Sequence, residues 1–292
     1  MRAIVSRTPR GKYAIVSRWS PRRGRFVARL SRDLGGARFE CDLADVIARE
    51  VCLTGYYEPP VSRVARRLTR HGGTVVDAGA NWGYFSLLAA SGVGDGGRVL
   101  ALEPDPRHFE RLTCNIMLNQ FSQVTPLQIA AGSCDGLVTL IGYPDESDNR
   151  GVSRIPGRET ATHGFKVRRA SIDGLTASDH RVDVVKIDVE GAELDVLAGM
   201  RHGLATARYA SILLELHPTL LREQAREPSE CIEALLDYGY RGWSIDLTPS
   251  AYRSALARNT QIEQLLRPVD EWRHTAWPHQ LWLAPGESLV AC

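Results

Sequence analysis

Residues 75–86 have the sequence VVDAGANWGYFS, in which a short apolar run leads into a glycine-containing turn and then into a helical pattern. Such a run is typical of a strand buried on both faces of a parallel sheet, and Asp77 stands where that strand should end. Gly79 and Gly83 allow a tight turn and a close approach of the backbone to a ligand. The helix predicted to begin near Tyr84 would direct its N-terminal amides toward that ligand, which favours a carboxylate.

The rest of the chain places this segment in an α/β fold. Further apolar runs predict strands at residues 98–103, 124–130, 182–188 and 210–216, with helical patterns between them. Because strands and helices alternate over most of residues 61–245, we predict a doubly wound, mostly parallel sheet.

A carboxylate follows the second predicted strand of this sheet. Glu103 lies 20 residues after Gly83, and an acid at this spacing can accept hydrogen bonds from both hydroxyls of a ribose. The spacing fits a dinucleotide and S-adenosylmethionine (SAM) equally. The glycine turn at residues 79–83 distinguishes these two cofactors, because it lacks the G-x-G-x-x-G pattern whose second glycine admits a pyrophosphate. The sequence therefore favours SAM over a nicotinamide dinucleotide.

Two further strand ends carry polar side chains. Asp188 ends the fourth predicted strand, with Lys186 before it and Glu190 after it, and the fifth predicted strand ends near Glu215 and His217. Open α/β sheets bind their ligands at the carboxyl ends of the strands. We therefore expect these side chains to face the same cleft as the glycine turn.

Several motifs in this order resemble the FkbM family of SAM-dependent methyltransferases. They are VVDAGANWGYFS (75–86), ALEPDP (101–106), Asn115 and Asn119, KIDVEGAELDVLAGM (186–200) and LLELHP (213–218). Two weaker matches are GYYE (55–58) and RASIDGL (169–175), where Ile172-Asp173 departs from the usual Leu-Asp. The resemblance covers roughly residues 55–220.

The resemblance implies a class I methyltransferase fold, Rossmann-like, with a seven-stranded sheet and one antiparallel strand near an edge. It also implies SAM as cofactor, S-adenosylhomocysteine as product, and O-methylation of a sugar, polyketide or other natural product, with N-methylation known for related enzymes. By motif match, the residues implied to hold SAM are Tyr57, Glu58, Asp77, Gly79, Asn81, Gly83, Tyr84, Glu103, Pro104 and Asp188. Ala130 and Ala131 would lie beside the adenine.

Methyl transfer to a hydroxyl or an amide requires a base. Transfer is an in-line displacement, so positioning of the two reactants supplies much of the rate, and the acceptor loses its proton around the transition state. Asp188 and His217 are the candidate bases. His217 has the more suitable ordinary pKa, about 6.5, whereas Asp188 has the better expected position. Lys186 and Glu190 could orient either one.

The chain divides into two predicted parts. Residues 1–55 form an N-terminal extension, and residues 56–292 form the SAM-binding methyltransferase domain. Within that domain, residues 142–165 are rich in Gly, Pro, Ser and Arg and predict a substrate loop. Residues 246–292 form a C-terminal segment outside the resemblance, where acceptor choice can reside.

The extension has weaker local signals. Residues 12–18 and 25–30 predict two short strands. A helix is predicted from Asp42 to Cys52, with Asp42 as its N-cap.

Net charge, apolar runs and cysteine spacing limit the classes of partner that we expect for this chain. The formal net charge of +2 gives no general attraction to polyanions. No apolar run approaches the roughly 18 residues of a bilayer span, and we expect no signal peptide and no membrane partner. The six cysteines include no C-x-x-C pair, which favours reduced thiols in a cytoplasmic protein and no metal site.

The acceptor class stays open on sequence alone. A small molecule is the expected partner, with N-methylation of an amide, amine or peptide-like acceptor as the alternative. Residues 1–30 hold nine Lys or Arg and no Asp or Glu, which keeps an RNA or protein methyltransferase in consideration, although we find no RNA-binding module. A SAM-binding protein without catalysis, and a homodimer, are also compatible with the sequence.

Overall fold

The computed structural model describes residues 24–142, 153–154, 164–257, 260–269 and 279–289. The predicted strand at 12–18 and most of the predicted substrate loop lie outside these residues. None of the helices in the described ranges is both long enough and apolar enough to cross a bilayer.

The elements are numbered along the chain. The strands are β1 (Arg25–Arg29), β2 (Arg38–Asp42), β3 (Thr74–Ala78), β4 (Arg98–Leu102), β5 (Val124–Leu127), β6 (Ile129–Ala131), β7 (Gly136–Gly142), β8 (Ser153–Arg154), β9 (Gly164–Ala170), β10 (Val182–Ile187), β11 (Tyr209–Glu215), β12 (Arg241–Ile245), β13 (Leu266–Pro268) and β14 (His279–Leu283). The α-helices are α1 (Val46–Thr54), α2 (Pro59–Leu68), α3 (Tyr84–Val93), α4 (Pro106–Asn119), α5 (Ile172–Leu175), α6 (Glu193–Ala198), α7 (Arg201–Ala205), α8 (Pro218–Glu223), α9 (Pro228–Asp237) and α10 (Pro249–Ala255).

The largest sheet confirms the predicted doubly wound architecture. Its order over the described residues is β5-β4-β3-β10-β11-β14-β12-β13. The strands from β5 to β11 pair in parallel, and β14 runs antiparallel to both β11 and β12. These seven strands, with one antiparallel strand near the edge, form the expected class I methyltransferase sheet. The three-residue β13 pairs antiparallel with β12 and adds an eighth strand at the edge.

Alternate residues of the central strands pack into two different layers. Val75 and Val184 belong to a core shared with helices α2 and α3, whereas Val76 and Val185 belong to a core shared with α6 and α9. Burial on both faces explains why these strands are almost uninterrupted apolar runs. The sheet is therefore a rigid support whose carboxyl edge presents the functional side chains.

The predicted strand at 124–130 is in fact two strands in two sheets. β5 pairs with β4 in the large sheet, but β6 pairs in parallel with β9 in a second sheet of order β6-β9-β7-β8 among the described residues. The chain changes sheet at Gln128. A continuous apolar pattern does not indicate which partner each half will pair with, so the sequence predicted one strand.

The N-terminal extension contains a β-hairpin and a helix whose start differs from the prediction. β1 and β2 pair antiparallel, and α1 begins at Val46. Asp42 ends β2, and its carboxylate accepts a hydrogen bond from the amide of Ala44 at 3.0 Å. Asp45 is the N-cap instead, because its side chain accepts from the amide of Ala48 at 2.8 Å.

Candidate active site

A cavity of about 420 Å³ lies at the carboxyl ends of the parallel strands. Its wall includes Gly79 after β3, Glu103 after β4, Asp188 after β10 and Glu215 at the end of β11. Its volume falls in the range of roughly 300–1,000 Å³ that small-molecule sites occupy. Three strand spacings of about 4.8 Å separate β4 from β11, so Glu103 and Glu215 mark two ends roughly 14 Å apart.

The turn after β3 is fixed by the close approach of two backbone segments. Gly79 has a φ of 85°, and a Cβ atom at this position would lie 1.8 Å from the carbonyl oxygen of Asp188. The amides of Gly79 and Ala80 donate to the carbonyl of Leu102 at 3.0 and 2.9 Å. Only glycine fits this position, and it brings the turns after β3 and β10 together beside the cavity.

Glu103 is a buried carboxylate on the cavity wall. Its Oε2 accepts a hydrogen bond from the amide of Asn81 at 2.7 Å, and its Oε1 accepts from the amide of Asp105 at 2.8 Å. Burial raises the pKa of Glu103 to about 8, against the effect of these two amides. Each carboxylate oxygen keeps a second lone pair, so Glu103 can still accept from the hydroxyls of a ligand.

Five more of the predicted cofactor residues lie on the same cavity wall as Glu103. Asn81, Tyr84, Pro104, Ala130 and Ala131 all line the cavity. Asn81 has a left-handed backbone with φ of 50°, and its side chain accepts from the following amide at 2.7 Å. The two alanines lie in β6, where their small side chains leave an apolar surface. The structure thus brings together most of the residues implied by the motif match.

Asp77 and Gly83 were also implied to hold the cofactor, but the structure places them behind the wall. Asp77 is buried, and its Oδ2 accepts from the hydroxyl of Ser86 at 2.6 Å. Gly83 is the N-cap of α3 with φ of 89°, and a Cβ there would approach a side-chain carbon of Leu112 to 2.6 Å. These two residues shape the turn and the start of the helix instead of contacting the cavity.

Tyr57 and Glu58 were also implied to hold the cofactor, and only Tyr57 lies on the cavity wall. Tyr57 lines the cavity, and its ring packs edge-on against Tyr84 with centroids 5.8 Å apart. Glu58 lies outside the lining, in a left-handed conformation with φ of 43°, as the residue before α2. Its carboxylate points to His279, whose Nε2 is 3.1 Å away.

Lys186 links the two acids at the ends of β3 and β10. Its Nζ lies 2.9 Å from Asp188 Oδ2 and 3.9 Å from Asp77 Oδ1, and 4.8 Å from the centre of the Phe85 ring. Burial disfavours the ammonium, but the charges of Asp188 and Asp77 outweigh burial and raise the pKa of Lys186. Burial likewise works to raise the pKa of Asp188, but Lys186 and His217 outweigh it and lower that pKa. Asp188 is therefore a fixed anion.

His217 lies among carboxylates at the other end of the cavity. Its Nδ1 is 2.7 Å from Glu193 Oε1, and its Nε2 is 3.4 Å from Glu190 Oε2 and 3.9 Å from Asp188 Oδ1. Burial disfavours a charged ring, but the hydrogen bond with Glu193 and the neighbouring charges raise the pKa of His217 to about 9. Burial raises the pKa of Glu190 to about 7. The ordinary pKa of histidine therefore does not apply here, and Glu190 has the pKa closest to neutrality.

Part of the wall comes from the N-terminal extension, which the motifs did not cover. Phe39, Asp45 and Ile47 line the cavity. The side chain of Asn115 accepts from the amide of Glu40 in β2 at 2.7 Å and donates to a carbonyl of the glycine turn at 2.8 Å. The hairpin is thereby joined to α4 and to the turn after β3.

Other wall residues stand inside the quoted motifs without having been singled out for the cofactor. These are Ala80, Trp82, Phe85, Val189, Ala192 and Glu215. Leu140 in β7 completes the apolar side, and no sequence signal identified it. For the six residues other than Leu140, the signal in the sequence was that each lies within one of the quoted motifs.

The sequence matches a known protein family. The profile described as "Methyltransferase FkbM domain" matches residues 77–241. The methyltransferase sdnD of Sordaria araneosa is 33% identical over an alignment of 155 residues that covers 43% of this chain and 60% of that relative. The hexuronic acid methyltransferase AglP of Haloferax volcanii is 28% identical over 183 residues, 62% of this chain and 70% of AglP. The match thus spans less than two thirds of the length of the fungal relative.

A similar solved structure is that of the methyltransferase FkbM from Methylobacillus flagellatus KT. It aligns with a TM-score of 0.43 and 18% sequence identity, covering 87% of this chain and 56% of that chain.

Proposed function

Because the chain belongs to the FkbM methyltransferase family, we propose that it transfers the methyl group of SAM to a hydroxyl oxygen of a sugar or another small-molecule natural product. One observation supports this most directly. A single cavity has a buried carboxylate suited to a ribose at one end, Glu103, and an acid–imidazole cluster of Asp188, Glu190 and His217 at the other.

The chemistry of the wall fits SAM. Glu103 would accept from the ribose hydroxyls, and Ala130 and Ala131 would contact the adenine. The first amides of α3 would meet the carboxylate of the methionine part, because Gly83 offers no side chain to cap them. SAM, when bound, supplies a methyl group on a positively charged sulfur, and the fixed anion of Asp188 lies on the wall where that charge is favoured.

We assign the acceptor's proton to Glu190. As the acceptor oxygen forms its bond to the methyl carbon and the carbon–sulfur bond breaks, the hydroxyl proton passes to a base. Glu190 lines the cavity, and its pKa of about 7 leaves much of it ionised at neutral pH. Asp188 is a poorer base because Lys186 holds it ionised, and the His217 cation keeps the Glu190 carboxylate in place at 3.4 Å. The two bases named from the sequence thus become positioning groups.

The acceptor class rests on the family and on one relative. AglP is named for a hexuronic acid, which favours a sugar-type acceptor. N-methylation of an amide, amine or peptide-like acceptor is the alternative. RNA or protein is the third candidate class of acceptor. A cytoplasmic location and a homodimer remain part of the proposal.

Calorimetry tests the cofactor. SAM and S-adenosylhomocysteine should bind the full chain at micromolar concentrations, and Glu103→Ala should weaken both. Absence of binding by the folded wild-type chain at tens of micromolar would refute the assignment. Incubation with methyl-labelled SAM and fractionated metabolites, followed by mass spectrometry, then identifies the product and the methylated atom. Label on nitrogen would favour the alternative.

The assignment of Glu190 as the general base is tested with a matched pair of variants. Glu190→Gln should reduce kcat by about 10²–10⁴-fold, the contribution of a general base, with SAM affinity unchanged. Glu233→Gln makes the same chemical change on the exposed surface of α9 and should leave kcat unaltered. Equal kcat values for the two variants would contradict the assignment of Glu190.

A further inference from the structure

Three side chains of types that can ligate a metal converge at the edge of the cavity from distant parts of the chain. Glu58 precedes α2, Glu215 ends β11 and His279 begins β14, and Glu215 and His279 are register partners on adjacent strands. The Nε2 of His279 lies 3.1 Å from Glu58 Oε2 and 3.1 Å from Glu215 Oε2. One ligand atom from each residue lies within 4.8 Å of the other two.

His279 is buried, with one ring nitrogen between two carboxylates and the other without a partner. The residue is only 5% exposed, and two carboxylate oxygens are 3.1 Å from its Nε2. Two buried carboxylates this close to one nitrogen require a positive charge between them, which a proton on His279 or a metal ion supplies. Two ligand atoms 3.1 Å apart, each about 2.1–2.2 Å from an ion, subtend an angle of about 90° at that ion. This is the angle between neighbouring ligands of an octahedral cation.

Charge balance in this region also favours a bound cation. Among the described residues, one connected network of ion pairs contains more acids than bases: the acids are Glu58, Asp77, Asp188, Glu190, Glu193 and Glu215, and the bases are Lys186, His217 and His279. Uncompensated buried charge is strongly destabilising. A divalent cation with two carboxylates and a neutral imidazole forms a site of zero net charge.

We propose that Glu58, Glu215 and His279 form a binding site for a divalent first-row transition-metal ion such as Mn²⁺. A mixed set of one imidazole and two carboxylates suits Mn²⁺ or Zn²⁺ better than Mg²⁺ or Ca²⁺, which prefer oxygen ligands. Glu215 lines the cavity, and its other oxygen, Oε1, lies 3.7 Å from His217. The ion therefore lies beside the acceptor end. A role for this ion in acceptor binding rests on the proposed function. Coordination positions of the ion that the protein leaves open can bind an oxygen atom of the acceptor.

The experiment uses the full chain, treated with a chelator and then dialysed, with neither SAM nor acceptor present. Electron paramagnetic resonance follows a titration with Mn²⁺, and we expect one tight site with spin-echo coupling to an imidazole nitrogen. Glu58→Gln and His279→Leu should each raise the Kd for Mn²⁺ by at least about tenfold, since even the loss of an outer-sphere partner has this effect. Zn²⁺ should displace Mn²⁺, and an equal concentration of Mg²⁺ should not.

A matched control identifies the cluster that binds. Glu190→Gln changes the neighbouring Asp188–Glu190–His217 cluster, so Mn²⁺ affinity should persist in that variant. If Glu190→Gln abolishes binding and Glu58→Gln does not, or if the wild-type chain binds no Mn²⁺ and a proton on His279 is the sole occupant, the proposal is overturned. Thermal melting confirms that each variant is folded. SAM calorimetry is read separately, so failure of metal binding and failure of the methyltransferase assignment remain distinguishable.

Discussion

Replacing Gly79 by alanine isolates the effect of the close contact between the turns after β3 and β10. The added methyl group would begin 1.8 Å from the carbonyl oxygen of Asp188, and the backbone has φ of 85°. A left-handed conformation costs an alanine about 1–2 kcal/mol. Overpacking against a rigid neighbour adds about 1–3 kcal/mol. We therefore expect Gly79→Ala to lower the free energy of unfolding by about 2–5 kcal/mol.

Gly72→Ala is the matched control. Gly72 has φ of 75°, and a Cβ there would meet nothing within 4 Å. It precedes β3, at the opposite edge of the sheet from the cavity. This variant should lose only the conformational part, about 1–2 kcal/mol. The difference between the two variants measures the steric conflict alone.

Calorimetric melting and SAM titration measure the two consequences. At about 2–4 °C per kcal/mol, the value for domains of about 150–250 residues, Tm should fall by roughly 4–20 °C for Gly79→Ala and by roughly 2–8 °C for Gly72→Ala. SAM affinity should fall at least about tenfold, or 1.4 kcal/mol, in Gly79→Ala and stay unchanged in Gly72→Ala. Equal melting temperatures and equal affinities for the two variants would refute the reasoning.

Variants at Glu103, Lys186 and Asn115 test other parts of the same site. SAM affinity of the wild-type chain should rise with pH through about 8, because the ionised Glu103 is the stronger acceptor, and calorimetry should show a smaller rise for Glu103→Gln. In the ligand-free chain, the raised pKa of Glu103 links folding stability to pH. Its contribution to the free energy of unfolding is fully present below the ordinary pKa of 4.5 and is lost as the pH rises through about 8. Lys186→Met should lower the free energy of unfolding in urea by about 3–5 kcal/mol, since Asp77 and Asp188 lose their buried cation. Adding Asp77→Asn should recover part of that loss, and no recovery would count against the pairing. Asn115→Ala should lower the same free energy by about 1–3 kcal/mol and weaken SAM binding, and an unaltered affinity would show that the hairpin does not support the turn.

The parts of the fold and of the site that could be predicted from the sequence are those that a single local segment determines. The apolar run of β3, the glycine turn and Glu103 at the end of β4 are each readable within a few residues, and the structure brings them to one cavity. The N-cap was assigned wrongly because Asp42 and Asp45 both precede the helix. Either side chain could cap it, and only the end of β2 at Asp42 decides between them.

Contacts between distant segments could not be predicted in this way. The pairing of β6 with β9 joins residues about 40 positions apart, so the apolar pattern alone could not divide the predicted strand. Glu58, Glu215 and His279 come from three separate segments, and no short motif contains two of them, so the sequence indicated no metal site. The pKa of His217 also depends on tertiary contacts, because burial lowers it and Glu193, Asp188 and Glu190 together raise it.

The attachment of the N-terminal hairpin has a consequence for how acceptor preference can diversify. Asn115 and Asn119 bind β2 through the main-chain atoms of Arg38 and Glu40, at 2.7 Å in each bond. Main-chain recognition is indifferent to which side chains the strand carries. Phe39, which stands between these two anchor points on the cavity wall, is fully buried and packs edge-on against Tyr84, so a replacement at this position has to conserve its volume. Volume-conserving changes at position 39 can thus alter the cavity wall while the main-chain bonds keep β2 on α4.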